Sequence, residues 1–210
     1  TNRPNIIVPA IGWSTSYFPI SQCGFNLNFV DVELTSLNID PSKIIKAINK
    51  DTVAILAINL LGNPCNFREI NKICKKNNLI LLEDNCESLG AKYEDKYTGT
   101  YGLMGTFSFF FSHHMQTMEG GMILTNNNRV KDIARSLRAH GWIRNLPKKN
   151  SLYKKKGDSF KDHFTFILPG YALRPLEMQG SIGLVQLKKL NKFLKIRKKN
   201  AEYFKKLFSN

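Results

Sequence analysis

The sequence contains little cysteine, and its few cysteines are not spaced as metal ligands or as a redox pair. Cys23, Cys65, Cys74 and Cys86 form no C-x-x-C motif and lie in apolar or helical contexts. This use of cysteine is typical of a reducing compartment and argues against a disulfide scaffold or a zinc site. We therefore expect a cytoplasmic protein without a metal centre.

Long apolar runs are also missing. No stretch approaches the roughly 18 residues that a membrane-spanning helix needs, and no signal peptide is visible. The chain opens with Thr1 rather than Met and stops within a helical pattern at Asn210. We therefore expect an internal piece of a longer protein that has no membrane partner.

Acidic residues are scarce: 16 Asp and Glu stand against 31 Lys and Arg, which gives a net charge of +15. Such a charge could serve nucleic-acid binding. Nine of the basic residues, however, fall between Lys188 and Lys206, where Leu187, Leu190 and Leu194 recur at helical spacing. The lysines then cover the solvent face of an ordinary amphipathic helix. We expect no nucleic-acid partner, although a positive field suits an anionic nucleotide.

Strand and helix signals alternate along the chain. NIIVP, LNFVDV, TVAILAINLLG and LILLED predict strands, and GTFSFFF and GMILTN predict a further pair. Helices are predicted between them, most clearly where Asp40 can cap a helix with Pro41 at its first position. This order predicts an α/β fold of three α/β/α layers around a mostly parallel sheet. Residues 142–170 read as a long loop, and a long helix is predicted from about Pro175.

Several polar or aromatic residues follow the predicted strands, where ligands bind in open α/β sheets. Trp13 follows NIIVPAIG, Asp84 closes LILLED, and Ser108 and His113 flank SFFF. Each residue alone has an ordinary structural interpretation: a core tryptophan, a capping or ion-paired aspartate, a surface histidine. Their convergence at strand ends is what favours a ligand site.

Longer motifs cover essentially the whole chain: IIVPAxxW, INLLGNPCNF, LLEDNCESLGA, GTFSFFFSHHMQTMEGGMILTN and GY–RPLEMQG. The sequence resembles the nucleotide-sugar aminotransferases, which have the aspartate aminotransferase (type I) fold of pyridoxal-phosphate enzymes. The resemblance implies a coenzyme-binding large domain over residues 1–174, without its N-terminal part. It also implies that residues 175–210 form a helix leading toward a small domain outside the sequence.

The resemblance also implies roles for individual residues. Asp84 should pair with the protonated ring nitrogen of pyridoxal 5′-phosphate (PLP), Trp13 should stack on the ring, and Ser108 should bind its phosphate. Glu87 stands where relatives commonly carry Gln near the ring. In the aminotransferases the motif is S-F-x-x-x-K, whose lysine forms a Schiff base, but the residue five after Ser108 is His113. Imidazole cannot form an imine, but it is a good base near neutral pH.

The change from lysine to histidine is a feature of the sugar 3-dehydratases within this family. Resemblance to that branch implies removal of the C-3 hydroxyl from a nucleotide-linked 4-keto-6-deoxy sugar, with a GDP-linked sugar favoured. It implies PLP and its pyridoxamine form (PMP) as coenzymes, L-glutamate as amino donor, and a homodimer. If the strand pattern continues through residue 114, His114 points away from His113, and we expect His114 to be structural. Ala172 stands where relatives commonly carry an Asn that reaches a neighbouring subunit's coenzyme phosphate.

Three alternatives remain open. An ordinary sugar aminotransferase is opposed by His113. An iron–sulfur CDP-sugar 3-dehydratase needs three cysteines beyond Cys86, and the sequence has none there. A basic binding module without catalysis is opposed by the joint presence of Trp13, Asp84 and Ser108. The sequence does not fix the nucleotide.

Overall fold

The computed structural model describes residues 3–209, and within them the chain forms eight strands and six α-helices. The strands are β1 Asn5–Pro9, β2 Asn26–Val30, β3 Thr52–Ile58, β4 Ile80–Asp84, β5 Lys92–Tyr93, β6 Lys96–Tyr97, β7 Met104–Ser108 and β8 Gly121–Leu124. The helices are α1 Ser14–Gln22, α2 Pro41–Ala47, α3 Phe67–Asn77, α4 Asn128–Leu137, α5 Ser159–Phe164 and α6 Glu177–Leu207, and Leu60–Gly62 form a 3₁₀ turn.

The main sheet has the strand order β2-β1-β3-β4-β7-β8. All neighbouring strands from β2 to β7 run parallel, and only β8 is antiparallel to its neighbour. The predicted mostly parallel α/β sheet is therefore confirmed. Because the chain places β2 on one side of β1 and β3 on the other, the strand order reverses at β1, which is where such sheets bind ligands.

Helices cover both faces of this sheet, which gives the predicted three layers. On one face, Ile7 and Ile55 pack with Ile44 of α2 and with Phe67 and Ile70 of α3. On the other face, the alternate strand residues pack with α1, in a cluster of Ile6, Val8, Tyr17, Ile20, Ala54, Leu56 and Ile58. Strands buried on both faces read as continuous apolar runs, which explains why NIIVP and TVAILAI were recognisable as strands.

Local signals set the starts of α2 and α3, and the start of α2 was predicted. The Asp40 side chain accepts a hydrogen bond from the Ser42 N–H at 2.8 Å, and Pro41 is the first residue of α2. Asn66 caps α3 through the Glu69 N–H. Such caps satisfy amide groups that have no partner within the helix.

Three features differ from the sequence-based expectations. The strand predicted over GTFSFFF ends at Ser108, because the Ser108 hydroxyl accepts the Phe110 N–H at 3.2 Å and the chain turns. The long loop contains α5, capped by Asp158 through the Lys161 N–H. The short β5–β6 hairpin was not predicted.

The chain divides into two compact units. The first contains the main sheet, with the residues up to Leu124 and those from Met178 onward, and the second runs from Thr125 to Glu177. The predicted division at residue 174 between a coenzyme domain and a connecting helix stays a prediction. In the described part of the chain, no helix has the length and apolar character required to traverse a lipid bilayer.

Candidate active site

The carboxyl ends of the parallel strands bring together residues that are distant in sequence. Asp84 is the last residue of β4, opposite Ile58 of β3 and Thr106 of β7. Ser108 ends β7 two positions beyond Thr106. The prediction that Asp84 and Ser108 lie at neighbouring strand ends is confirmed.

The Asp84 carboxylate is half-buried and is held on both oxygens. The Ser16 hydroxyl donates to Oδ2 at 2.6 Å, and the Cys86 N–H donates to Oδ1 at 3.0 Å. Within residues 3–209, Asp84 forms no ion pair with a lysine, arginine or histidine. A half-buried anion without a cationic partner, and with lone pairs still free, is a suitable acceptor for a positively charged ligand group.

The negative charge of Asp84 influences its neighbours. Burial, with the Asp84 charge as a second cause, raises the pKa of Tyr17 to about 12. The Tyr17 hydroxyl donates to the Pro9 carbonyl at 2.9 Å and so does not occupy Asp84. Burial and the same charge raise the pKa of the Cys86 thiol. Cys86 is therefore a protonated thiol at neutral pH, unsuited to nucleophilic attack.

Glu83, the other carboxylate of LLED, has a different environment. It is buried, and its oxygens accept hydrogen bonds of 2.6 Å from the N–H groups of Gly99, Tyr101 and Gly102. Burial raises the pKa of Glu83, and these three N–H groups oppose that shift. Because successive strand residues face opposite sides, Glu83 stabilises the loop over residues 99–102, while Asp84 remains available at the strand end.

Trp13 lies just before α1, with 75% of its surface exposed. Its carbonyl accepts the Ser16 N–H at 3.0 Å, so the tryptophan is linked to the residue that contacts Asp84. A core role for Trp13 is therefore wrong. An exposed indole beside a strand end offers a flat apolar face for stacking, although stacking on the coenzyme stays a prediction.

Ser108 and Glu87 are both held by backbone contacts. The Ser108 oxygen accepts the Phe110 N–H, which leaves its hydroxyl proton available to a ligand. Glu87 accepts the Leu61 N–H at 2.6 Å, and Leu61 has a positive φ of 53°. Glu87 therefore stabilises the turn after β3. Its predicted proximity to a coenzyme ring stays a prediction.

His113 and His114 line the same cavity, which has a volume of about 240 Å³. The expected opposite orientation of His114 is wrong, because β7 ends at Ser108 and the His113 N–H closes a turn onto the Phe110 carbonyl at 3.1 Å. The remaining lining residues come from α6 and are Gln186, Phe193, Ile196 and Arg197.

His114 is neutral in this environment. Burial lowers its pKa, the charges of Arg197 and His113 lower it further, and Glu87 acts in the opposite direction. Its Nδ1 is buried and makes no hydrogen bond to any residue among 3–209. His113 is half-buried and lines the same cavity. The cavity therefore offers two imidazole groups for proton transfer, and the residue at the motif position of the lysine is a histidine. Asp84, Trp13 and Ser108 are not among the residues that line this cavity.

Ser16 is the site residue that sequence reasoning missed. Its contact with Asp84 joins positions 68 residues apart, and no local pattern in WSTSYFPISQ indicates such a partner. The only available signal was its position shortly after a strand end, which it shares with Trp13.

The family model described as the DegT/DnrJ/EryC1/StrS aminotransferase family matches residues 1–210. The chain is 56% identical over 200 residues to a GDP-4-keto-6-deoxy-D-mannose 3-dehydratase of Escherichia coli O55:H7, covering 95% of this chain and 52% of the relative. It is 54% identical over 206 residues to the enzyme of that name from Yersinia pseudotuberculosis, covering 98% of this chain and 52% of the relative. The chain thus spans about half the length of these curated relatives.

Solved structures give the same relationship. GDP-4-keto-6-deoxymannose-3-dehydratase with a trapped PLP-glutamate geminal diamine superposes with a TM-score of 0.96 at 53% identity, covering 100% of this chain and 54% of that one. A histidine-to-asparagine variant of that enzyme with bound GDP-perosamine superposes with a TM-score of 0.95 at 53% identity, covering 100% and 55%.

Proposed function

We propose a function for the whole protein from the fact that this chain belongs to the DegT/DnrJ/EryC1/StrS aminotransferase family. The proposed function is that of a PLP-dependent GDP-4-keto-6-deoxy-D-mannose 3-dehydratase. The observation that carries the proposal is His113, which takes the place of the Schiff-base lysine in a site that otherwise retains Asp84, Ser108 and Trp13. The relatives of over 50% identity named above support the GDP-sugar substrate.

The residues present fit a pyridine coenzyme. Asp84 is a half-buried carboxylate without a cationic partner in residues 3–209, which suits a protonated ring nitrogen. Trp13 would stack on the ring, Ser108 would donate to the phosphate, and Glu87 would lie near the ring. When bound, PLP or PMP supplies an electron sink for breaking bonds next to the substrate's keto carbon.

His113 would act as the general base and acid. Imidazole accepts and returns a proton near neutral pH, and a well-placed base typically contributes roughly 10²–10⁴-fold to the rate. Because imidazole forms no imine, His113 can move protons without binding the coenzyme covalently. Because His113 is half-buried in the wall of the cavity, water competes less for its ring than at a fully exposed site.

The proposed net reaction balances without any further oxidant or reductant. L-glutamate and the 3-hydroxy-4-keto sugar are converted into 2-oxoglutarate, ammonia and the 3-deoxy-4-keto sugar. Glutamate is oxidised by two electrons and the sugar is reduced by two, since it loses the C-3 oxygen. Such a reaction belongs to the biosynthesis of deoxysugars such as colitose in lipopolysaccharide O-antigens.

The test is to incubate the full-length protein with PLP, L-glutamate and GDP-4-keto-6-deoxy-D-mannose. We expect ammonia and 2-oxoglutarate in equal amounts, together with a sugar product that has lost one oxygen and gained no nitrogen. A product that keeps the amino group would instead identify an aminotransferase. The corresponding CDP-sugar serves as the control for nucleotide choice.

A homodimer and a cytoplasmic location are further parts of the proposal. They are supported by the family's shared active sites and by the free thiols of the cysteines. Sedimentation of the full-length protein with and without PLP tests the dimer, and a monomer at micromolar concentration would contradict it.

A further inference from the structure

We infer that Ser16 is a positioning residue, whose hydroxyl orients the Asp84 carboxylate toward the ring nitrogen of the coenzyme. This inference rests on the proposed function, because it assigns Ser16 a role at the same site. It concerns a residue that acts through Asp84, and it requires no contact between Ser16 and the substrate.

The contact has the geometry of a strong hydrogen bond. Ser16 lies in the first turn of α1, and its Oγ is 2.6 Å from Oδ2 of Asp84 at the end of β4. Short O–H···O⁻ bonds to an ionised acceptor are roughly twice as strong as bonds between neutral groups. Both side chains are half-buried, so water competes less for this bond than it would at a fully exposed site.

The two bonds to Asp84 have different consequences. The Cys86 N–H comes from the segment that follows β4, and it restrains Oδ1 at 3.0 Å. Ser16 comes from another element and restrains Oδ2. Because each oxygen accepts a bond from a different element, the two bonds together restrain the orientation of the carboxylate. Without Ser16, the carboxylate could rotate about the bond that joins it to Cβ.

Ser16 also links the two residues proposed to contact the coenzyme ring. Its N–H donates to the Trp13 carbonyl at 3.0 Å, while its hydroxyl donates to Asp84. Residue 16 therefore connects the backbone of Trp13 at the start of α1 to the carboxylate of Asp84. A ring stacked on Trp13 and bonded through its nitrogen to Asp84 requires these two groups in a fixed relation.

The experiment uses the full-length protein loaded with PLP that carries ¹⁵N in its ring, and compares wild type with Ser16→Ala. The ¹⁵N chemical shift reports directly whether the ring nitrogen is protonated. We expect a protonated nitrogen in wild type, and in Ser16→Ala a ring-nitrogen pKa lower by about one unit, because a tenfold change in the equilibrium is one pKa unit. We also expect the PLP dissociation constant to rise about tenfold.

Three variants separate positioning from a structural effect. Ser16→Thr keeps the hydroxyl and should show the wild-type ¹⁵N titration. Ser16→Val has the shape of threonine without the hydroxyl and should behave like Ser16→Ala. Ser14→Ala, in the same turn of α1, changes a serine that makes no hydrogen bond to Asp84 in the described part of the chain, and it should match wild type. If Ser16→Ala does not fold, the Thr and Val pair makes the same comparison.

An unchanged ring-nitrogen titration in Ser16→Ala or in Ser16→Val would overturn the inference, even if either variant melts at a lower temperature. Failure of the proposed function gives a different result. An unprotonated ring nitrogen in wild type would remove the role of Asp84 itself. A protonated nitrogen without sugar deoxygenation would leave the Ser16 inference intact and would reject the proposed reaction.

Discussion

Glu83→Ala should destabilise the loop beside the active site far more than an ordinary carboxylate substitution. In the native protein, the buried Glu83 side chain accepts hydrogen bonds from the N–H groups of Gly99, Tyr101 and Gly102. Alanine removes both acceptor oxygens and with them all three hydrogen bonds. A buried donor left without a partner costs about 1–3 kcal/mol.

The costs of the three unpaired N–H groups add, but partial relaxation of the loop and entry of water reduce their sum. We therefore expect a loss of about 3–4 kcal/mol in the local opening free energy. That loss corresponds to roughly 10²–10³-fold less protection from amide hydrogen exchange, at about 1.4 kcal/mol per tenfold change. Exchange of a peptide that covers residues 95–105 in the full-length protein measures it. Glu69→Ala is the matched control, because the Glu69 side chain forms an exposed pair with Lys72, and the loss of an exposed pair should change stability by less than about 1 kcal/mol.

A second test compares the stability of Glu83→Gln with that of wild type as a function of pH. Burial raises the pKa of Glu83 in the folded protein above its ordinary value of 4.5. The folded state then binds the proton more tightly than the unfolded state, so stability falls as the pH rises from about 4.5 through the folded pKa. The Gln variant lacks this group, and its stability difference from wild type should vary with pH over that window. If amide exchange of residues 95–105 is unchanged in Glu83→Ala, or if Glu69→Ala loses as much protection there, the three hydrogen bonds to Glu83 do not stabilise the loop.

Three further predictions concern the site and the second compact unit. His113→Ala in the full-length protein should lower turnover by roughly 10²–10⁴-fold with little change in PLP affinity measured by dialysis, and near-normal turnover would reject its role as the base. Of the cysteines, the exposed Cys23 should react rapidly with a thiol reagent at pH 8, whereas Cys86 should react slowly because burial and Asp84 raise its pKa; Asp84→Asn should accelerate Cys86, and equal rates in both proteins would contradict this. Gly141→Ala should lower the melting temperature by several degrees, because Gly141 has a φ of +77° and a Cβ there would overlap the Leu168 carbonyl; an unchanged melting temperature would contradict the strain.

Much of the fold could be predicted from the sequence because its signals are local. The apolar strands buried on both faces and the Asp40–Pro41 helix start depend on neighbouring residues alone. The β5–β6 hairpin could not be predicted, since its turn uses Glu94 and Asp95 at positive φ values of 46° and 63° rather than Gly or Asn-Gly. The strand end at Ser108 was missed because three consecutive phenylalanines continue the strand-like composition.

The candidate site was predictable only where parallel topology determines it. Once β4 and β7 are parallel neighbours, their carboxyl ends coincide, so Asp84 and Ser108 had to lie at one edge. The direction of His114 was wrong because it assumed that the strand continues to residue 114. Ser16 was missed because its bond to Asp84 depends on how α1 packs against the sheet, and that packing has no signature in the nine residues of the helix.

Because His113 stands in place of the lysine, the rigidity of this sheet edge should affect how tightly the coenzyme binds. If no covalent bond holds the coenzyme, its affinity depends on noncovalent groups, and the groups that we propose for this role are Trp13, Asp84 and Ser108. Noncovalent contacts act together only when their relative positions are fixed before the ligand binds. The three Glu83 bonds and the Ser16 bond lie on either side of Asp84 and hold the end of β4 in place. Loosening either set should therefore weaken coenzyme binding even though neither residue reaches the reacting atoms.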